Sequence, residues 1–309
     1  MNKLVFALIL ALALAWPGEP PVAEILLQQA DGSELRLEKP AEGLVTLSPH
    51  LAELVFAAGA GDALLATVEY SSYPEAAAAL PRVGDAFRLD LETIVTLQPD
   101  LVIAWGSGNP KAAIEQMRSL GLAVWAVEIR EPKEISTVLA EIGRATGNEL
   151  QASQAAAAFD RRLNNLAQRF GTAEPLSKPL SKTQSKPLNY FYQVDPRPLF
   201  TINGEHLISQ GLTLCGGKNI FADEPALAFQ VAHESVIVAN PDALIAPTLP
   251  GDPDPLERWR EWPGMQAVKD GALITVNADK ISRATPRWLD AIETACTLLH
   301  DSPTHITSQ

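Results

Sequence analysis

The chain has 309 residues, 47% of them hydrophobic, which is enough to fill the cores of two domains of ordinary size. Its formal net charge of −13 at pH 7 argues against nucleic acid or an anionic membrane surface as a partner, because the phosphates of both need basic side chains. The same charge favours solubility, or contact with a basic protein partner.

The first residues predict export. Lys3 gives the chain a short basic start, residues 4–15 form an apolar run, and Ala13 and Ala15 fit the small-x-small pattern of a cleavage site. The run is shorter than the about 20 apolar residues that a membrane-spanning helix needs. We therefore expect residues 1–15 to be a cleaved signal peptide and the mature protein to reside in the periplasm. A retained N-terminal anchor is the alternative.

Strands and helices alternate after this segment. A hairpin is predicted over 24–37 around the turn at Asp31-Gly32, and a strand over 44–47 ends at Ser48-Pro49. A helix then places Leu51, Leu54, Val55 and Ala58 on one face and ends at Gly59. Further strands are predicted over 64–68, 101–105 and 123–127, with helices over 91–97 and 112–120. This alternation over residues 16–133 indicates an α/β lobe around a parallel sheet.

The middle of the chain predicts a connection between two lobes. A long helical pattern runs over 134–170, punctuated at Gly147 and rich in alanine at 155–158, and it is predicted to be a connecting helix. Residues 171–187 repeat Ser-Lys and Lys-Pro pairs, a composition typical of a flexible loop. The strand and helix pattern resumes at Leu188, so residues 188–309 are predicted to form the second α/β lobe.

An internal repeat relates the two lobes. Residues 92–104 and 234–246 have an acidic residue, a helix, Pro-Asp and a strand at the same offsets. Each copy begins with a glutamate, Glu92 or Glu234, in the first turn of a short helix, where the helix dipole favours an anion. For a single copy, favourable capping of the helix would be a sufficient explanation of the glutamate. Two copies at matched spacing predict two similar lobes related by an approximate two-fold axis, with a ligand cleft between them.

The two cysteines, Cys215 and Cys296, lack the close spacing of a metal site. In an oxidising periplasm they are predicted to form one structural disulfide, and a reactive thiol pair is the alternative.

Catalytic motifs are not found in the sequence: the five histidines lack metal-ligand spacing, and no nucleophile elbow, P-loop or dinucleotide fingerprint occurs. We therefore predict no enzyme activity, no bound metal and no cofactor. The turn after Trp105 is a candidate for the wall of the cleft. Aromatic residues in polar turns, Tyr70, Phe87 and Phe229, suit a large, flat and partly apolar ligand.

Several segments together resemble the cobalamin-binding branch of the class III solute-binding proteins of ABC importers. They include Tyr70-Ser71-Ser72-Tyr73-Pro74, residues 99–105, Cys215-Gly216-Gly217 and Arg283-Ala284-Thr285-Pro286-Arg287, and the resemblance covers nearly all of the chain beyond the first hairpin. It implies an α/β fold of two Rossmann-like lobes with parallel sheets, joined by one long rigid helix as in helical-backbone metal receptors. It also implies a monomer that captures cobalamin or a related corrinoid and delivers it to the permease dimer of an ABC importer in the inner membrane.

The resemblance assigns roles to single residues. Tyr70, Asp279 and Arg283 match positions that contact the corrinoid, and Glu92 and Glu234 match glutamates that dock onto arginines of the permease.

Several residues of the predicted pocket wall differ from those of the family. Two tryptophans that flank the corrin in the family fall on Ala86 and Ala228, followed here by Phe87 and Phe229. His50 replaces an alanine and is a candidate ligand for cobalt or iron, although an exposed histidine at a helix start is commoner. Haem or a ferric siderophore is therefore an alternative ligand. A periplasmic metal-dependent enzyme and an adhesion module are alternatives of other classes.

Overall fold

The computed structural model describes residues 24–170 and 187–301. The predicted signal peptide (1–15) and all but the last residue of the predicted loop (171–187) lie outside the described residues. No helix within the described ranges combines the length and the apolar character that a membrane span requires.

The first half of the described chain folds around a parallel sheet, as the alternating pattern predicts. We call residues 24–146 the N-terminal lobe. Its elements, together with the helix that follows, are β1 Ile25–Gln28, β2 Glu34–Leu37, β3 Leu44–Thr46, α1 Pro49–Ala57, β4 Leu64–Ala66, α2 Glu75–Ala78, α3 Leu91–Thr96, β5 Leu101–Trp105, α4 Lys111–Ser119, β6 Val124–Val127, α5 Glu134–Thr146 and α6 Glu149–Phe170.

The second half repeats this architecture, and we call residues 188–301 the C-terminal lobe. Its elements are β7 Leu188–Tyr192, β8 Asp195–Pro196, β9 Leu199–Ile202, α7 Leu207–Thr213, β10 Gly217–Asn219, β11 Ala228–Gln230, α8 His233–Ala239, β12 Ala243–Thr248, α9 Gln266–Lys269, β13 Leu273–Asn277, α10 Ala278–Ile281 and α11 Trp288–His300.

The two main sheets have the same parallel order. The N-terminal sheet runs β4-β3-β5-β6 and the C-terminal sheet runs β10-β7-β12-β13. Alternate residues of β5 pack into two different hydrophobic cores. Leu101 and Ile103 belong to one core, and Val102 and Ala104 belong to the other. Both faces of the sheet are therefore covered, which explains why the strand is continuously apolar. The matched order confirms the two similar lobes that the internal repeat predicts.

The Pro-Asp pairs of the repeat have a structural role. Asp100 Oδ2 accepts hydrogen bonds from the backbone N–H groups of Glu42 and Gly43, at 2.9 Å each, just before β3. Asp242 Oδ2 accepts one from Asn189 at 2.8 Å, at the start of β7. Each aspartate therefore ties its own strand to the neighbouring central strand, and this half of the repeat needs no functional explanation.

The single helix predicted over 134–170 is wrong, because it is two helices. Gly147 ends α5 in the left-handed conformation, with φ of 72°, which a residue without a side chain adopts at little cost. The 22-residue α6 follows, and its Phe159 and Leu166 belong to one cluster of buried side chains that reaches into both lobes. The connecting helix is therefore α6 alone, while α5 packs against α1 in the N-terminal lobe.

The predicted disulfide is confirmed. Cys215 and Cys296 are bonded, with their Cα atoms 5.7 Å apart, and the bond links the end of α7 to α11 within the C-terminal lobe.

Candidate functional site

A cavity of about 1210 Å³ is lined by both lobes. Its walls come from residues that follow the carboxyl ends of the parallel strands: His50 follows β3, Tyr70 follows β4, and Asp279 follows β13. Loops at this edge of a parallel sheet are the usual place for a ligand, because the backbone and the following helices leave a crevice there. The cavity is the cleft that the internal repeat predicts.

Five of the residues predicted to contact a ligand line this cavity together. They are His50, Tyr70, Trp105, Asp279 and Arg283. The first three belong to the N-terminal lobe and the last two to the C-terminal lobe, so the predicted residues meet from both sides of the cleft.

Tyr70 presents its ring to the cavity from a turn with an unusual backbone. Its φ is 65°, and the residue is 79% exposed. A positive φ in a residue other than glycine costs free energy and persists where neighbouring groups hold it. Here the carbonyl oxygen of Tyr70 accepts hydrogen bonds from the Ser72 N–H at 2.9 Å and from Arg283 Nη2 at 3.0 Å. The turn is therefore held from the opposite lobe.

Arg283 joins the two lobes next to the cavity. Its Nη1 lies 2.7 Å from Glu53 Oε1 of α1, and its Nη2 lies 3.0 Å from Asp279 Oδ1. Arg287 Nη1 approaches the same Glu53 oxygen at 3.1 Å, and its guanidinium stacks on the Tyr73 ring at 3.9 Å. Two arginines of the C-terminal lobe therefore surround one carboxylate of the N-terminal lobe.

Glu53 is a residue that the sequence analysis missed. Its side chain is only 2% exposed, and its second oxygen, Oε2, is buried without a hydrogen-bond partner. It lies among Leu51, Ala52, Leu54 and Val55, all of them buried. A charged residue within such an apolar run was the available signal, because burial of a carboxylate requires a cationic partner.

His50 lies beside Trp105 at the wall of the N-terminal lobe. Its Nδ1 is 2.9 Å from Ser48 Oγ, and its ring meets the Trp105 ring edge-on at 5.4 Å. Removal from water, together with the nearby charge of Arg283, lowers the pKa of His50 to about 4. The imidazole is therefore neutral near pH 7, the form in which a histidine binds metals.

His206 is a second cavity residue that the sequence analysis missed. It precedes α7 and faces the cavity from the C-terminal lobe, and its Nδ1 accepts a hydrogen bond from the Ile208 N–H at 3.2 Å. Burial lowers the pKa of His206 to about 4. A polar residue directly before the apolar pair Leu207-Ile208 was the signal, since helix caps take such positions.

Three of the predicted contact residues do not line the cavity. Phe87 is 70% exposed in a turn in which Asp85 Oδ1 accepts the Phe87 N–H at 2.8 Å. The carbonyl oxygen of Ala86 is bonded to Asn109 Nδ2 at 2.8 Å. Phe229 lies in β11 and packs its ring against Phe221, 5.8 Å between centroids. Contact of these three residues with a ligand stays a prediction.

Glu92 and Glu234 occupy exposed positions in the first turns of α3 and α8. The cap of α3 is made by Asp90, whose Oδ1 accepts the Thr93 N–H at 3.0 Å, so Glu92 is not needed as a cap. The α8 helix begins after Ala232 without a side-chain cap. The matched positions predicted from the repeat are therefore present in both lobes.

Known proteins resemble the chain over most of its length. A family profile described as periplasmic binding protein matches residues 44–279. The vitamin B12-binding protein of Vibrio cholerae serotype O1 is 35% identical over 261 residues, 84% of this chain and 90% of the relative. That of Yersinia pestis is 33% identical over 266 residues, 86% of this chain and 89% of the relative.

Solved structures agree with this relationship. The periplasmic vitamin B12 binding protein BtuF of Vibrio cholerae superposes with a TM-score of 0.73 at 34% identity, covering 84% of this chain and 97% of that one. The haem-binding protein RhuT from Roseiflexus has a TM-score of 0.69 at 21% identity, covering 84% and 98%, and so shares the fold. The predicted two-lobed class III fold is confirmed. With the profile match over residues 44–279 and relatives at 35% identity, the chain belongs to the periplasmic binding protein family.

Proposed function

We propose that the chain is the solute-binding protein of a corrinoid importer, which captures cobalamin in the cavity between its lobes. It is exported through a signal peptide over residues 1–15, acts as a monomer and catalyses no reaction. The observation that carries the proposal is the meeting of Tyr70, Asp279 and Arg283 on one cavity. The relatives named vitamin B12-binding proteins support the choice of ligand.

The size of the cavity fits a large ligand. Pockets of roughly 300–1,000 Å³ hold drug-sized molecules, and this cavity has about 1210 Å³. A corrinoid is larger than most drugs, and it is a flat ring with amide groups around its edge. Aromatic walls such as Tyr70 and Trp105 can cover its faces, while charged and polar side chains bind its edge.

The charges on the cavity wall favour a corrinoid over the alternative ligands. Four lining residues are acidic and two are basic: Glu128, Glu131, Glu205 and Asp279 against Arg130 and Arg283. An excess of negative charge repels the carboxylates of haem and of many ferric siderophores. The edge amides of a corrinoid are neutral, and cobalamin carries one phosphate charge where haem carries two carboxylates, so cobalamin meets less repulsion.

Calorimetric titration of the purified protein separates these ligands. We expect cyanocobalamin and cobinamide to bind with one site per chain, and haemin to bind at least about tenfold more weakly, a difference of about 1.4 kcal/mol. Corrinoids that give no heat while haemin saturates one site would replace this proposal with haem binding.

Delivery to an importer is proposed to use Glu92 and Glu234. Both are exposed and lie at equivalent positions of two similar lobes. A matched pair of carboxylates is complementary to a two-fold partner, and a permease dimer has this symmetry. Charged contacts of this kind mainly set orientation and encounter rate.

Glu92→Arg together with Glu234→Arg is therefore expected to abolish cobalamin uptake in cells and to leave the affinity of the soluble protein for cyanocobalamin unchanged. The matched control is Glu75→Arg with Glu149→Arg, which reverses the charge of two other exposed glutamates in the first turns of helices. The control should support uptake at the wild-type rate. If the Glu92 and Glu234 double variant also does so, these glutamates do not dock.

A further inference from the structure

His206 and His50 occupy equivalent places in the two lobes. The α1 helix lies in the connection from β3 to β4. The α7 helix lies, after the strands β8 and β9, in the connection from β7 to β10, which are the corresponding strands of the second sheet. His50 lies at the start of α1 and His206 directly before α7, and both line the cavity. A bound ligand therefore meets one imidazole on each side.

The tautomer of His206 is determined by its local hydrogen bonds. Its Nδ1 accepts the Ile208 N–H at 3.2 Å, so Nδ1 carries no proton and the neutral ring holds its proton on Nε2. Asn203 Oδ1 accepts the backbone N–H groups of Glu205 and His206, at 3.0 and 3.2 Å, and holds the approach to the helix. Burial lowers the pKa of His206 to about 4, so the ring stays neutral near pH 7.

The Nε2–H group of His206 is left for the ligand. Within residues 24–170 and 187–301, no protein atom accepts a hydrogen bond from it, and it is not one of the buried polar atoms that lack a partner. It is therefore open to the cavity that His206 lines. A protonated nitrogen does not bind a metal, and moving its proton to Nδ1 would break the bond to Ile208.

We infer that His206 donates a hydrogen bond from Nε2 to a carbonyl-type oxygen at the edge of the bound ligand, as a corrin side-chain amide presents. This inference rests on the proposed function. The two histidines differ in the hydrogen-bonding groups that they can present to the ligand. Ser48 Oγ can either donate to or accept from His50 Nδ1, which leaves both tautomers open to His50. His206 is a donor only.

His206→Ser and His206→Ala separate this role from capping. Serine is a preferred helix cap but is too short to reach into the cavity, whereas alanine does neither. We expect both variants to bind cyanocobalamin about tenfold more weakly, as for one lost hydrogen bond. Only His206→Ala should also lower the thermal midpoint, by roughly 2–4 °C.

Wild-type affinity in His206→Ser would show that His206 only caps α7. Failure of the wild-type protein to bind cyanocobalamin would instead reject the proposed function. A second measurement does not depend on the variants: the ¹⁵N spectrum of histidine-labelled protein should show the Nε2–H tautomer of His206 and a shift of this resonance on addition of cyanocobalamin. A proton on Nδ1 would overturn the inference.

Discussion

Glu53→Gln is expected to lower the free energy of unfolding by about 3 kcal/mol, because removing one partner of a buried ion pair leaves the other charge uncompensated. The carboxylate of Glu53 is 2% exposed, and it compensates both Arg283 and Arg287, whose side chains are 13% and 19% exposed. Among the described residues, the variant leaves Arg287 with no carboxylate partner and Arg283 with Asp279 alone. Urea denaturation measures the change.

The same variant is expected to weaken cyanocobalamin binding, because Glu53 positions Arg283 at the cavity. Glu115→Gln is the control: Glu115 lies on α4 and pairs with Lys111 at 3.8 Å, and both side chains are exposed. An exposed pair of this kind contributes less than about 1 kcal/mol, so the control should unfold near the wild-type midpoint. Equal unfolding free energies for Glu53→Gln and wild type would mean that the ion-pair cluster does not stabilise the fold.

Replacing both cysteines, Cys215→Ala with Cys296→Ala, is expected to cost about 4 kcal/mol of stability. The bond joins residues 81 apart in the sequence, and closing so long a loop removes much conformational freedom from the unfolded chain. For a protein of this size the cost corresponds to a fall in the thermal midpoint of roughly 6–8 °C.

Ligand binding by this cysteine variant should stay at the wild-type level, since neither cysteine lines the cavity. Scanning calorimetry with and without cyanocobalamin measures both properties. An unchanged midpoint would contradict the stabilising role of the disulfide, and lost affinity at 20 °C, where the variant is folded, would contradict its separation from the site.

The fold was predictable because its signals are local. The strand over 101–105 is predicted at its observed bounds, since an apolar run between Pro99-Asp100 and Gly106 has clear ends. The internal repeat alone predicts two similar lobes, and the matched sheet orders agree. The prediction of a single helix over 134–170 is wrong at Gly147, where one residue in the left-handed conformation interrupts a sequence pattern that is helical on both sides.

The site was predictable only in part, because local sequence patterns do not show which residues contact each other across the cleft. Glu53 meets Arg283 across 230 residues of sequence, and periodicity on α1 gives no sign of this partner. His206 was missed because a histidine before a helix looks like a cap, which it also is. Phe87 and Phe229 do not line the cavity, because aromatic character in a turn or a strand does not determine which way the side chain faces; their contact with a ligand stays a prediction.

The most direct test of the central claim is a crystal structure of the protein with cyanocobalamin. We predict one corrin ring in the cavity between the lobes, with Tyr70 and Trp105 on one side and Asp279 and Arg283 at its edge. Cyanocobalamin bound outside this cavity, or a cavity that stays empty at saturating ligand, would contradict the account.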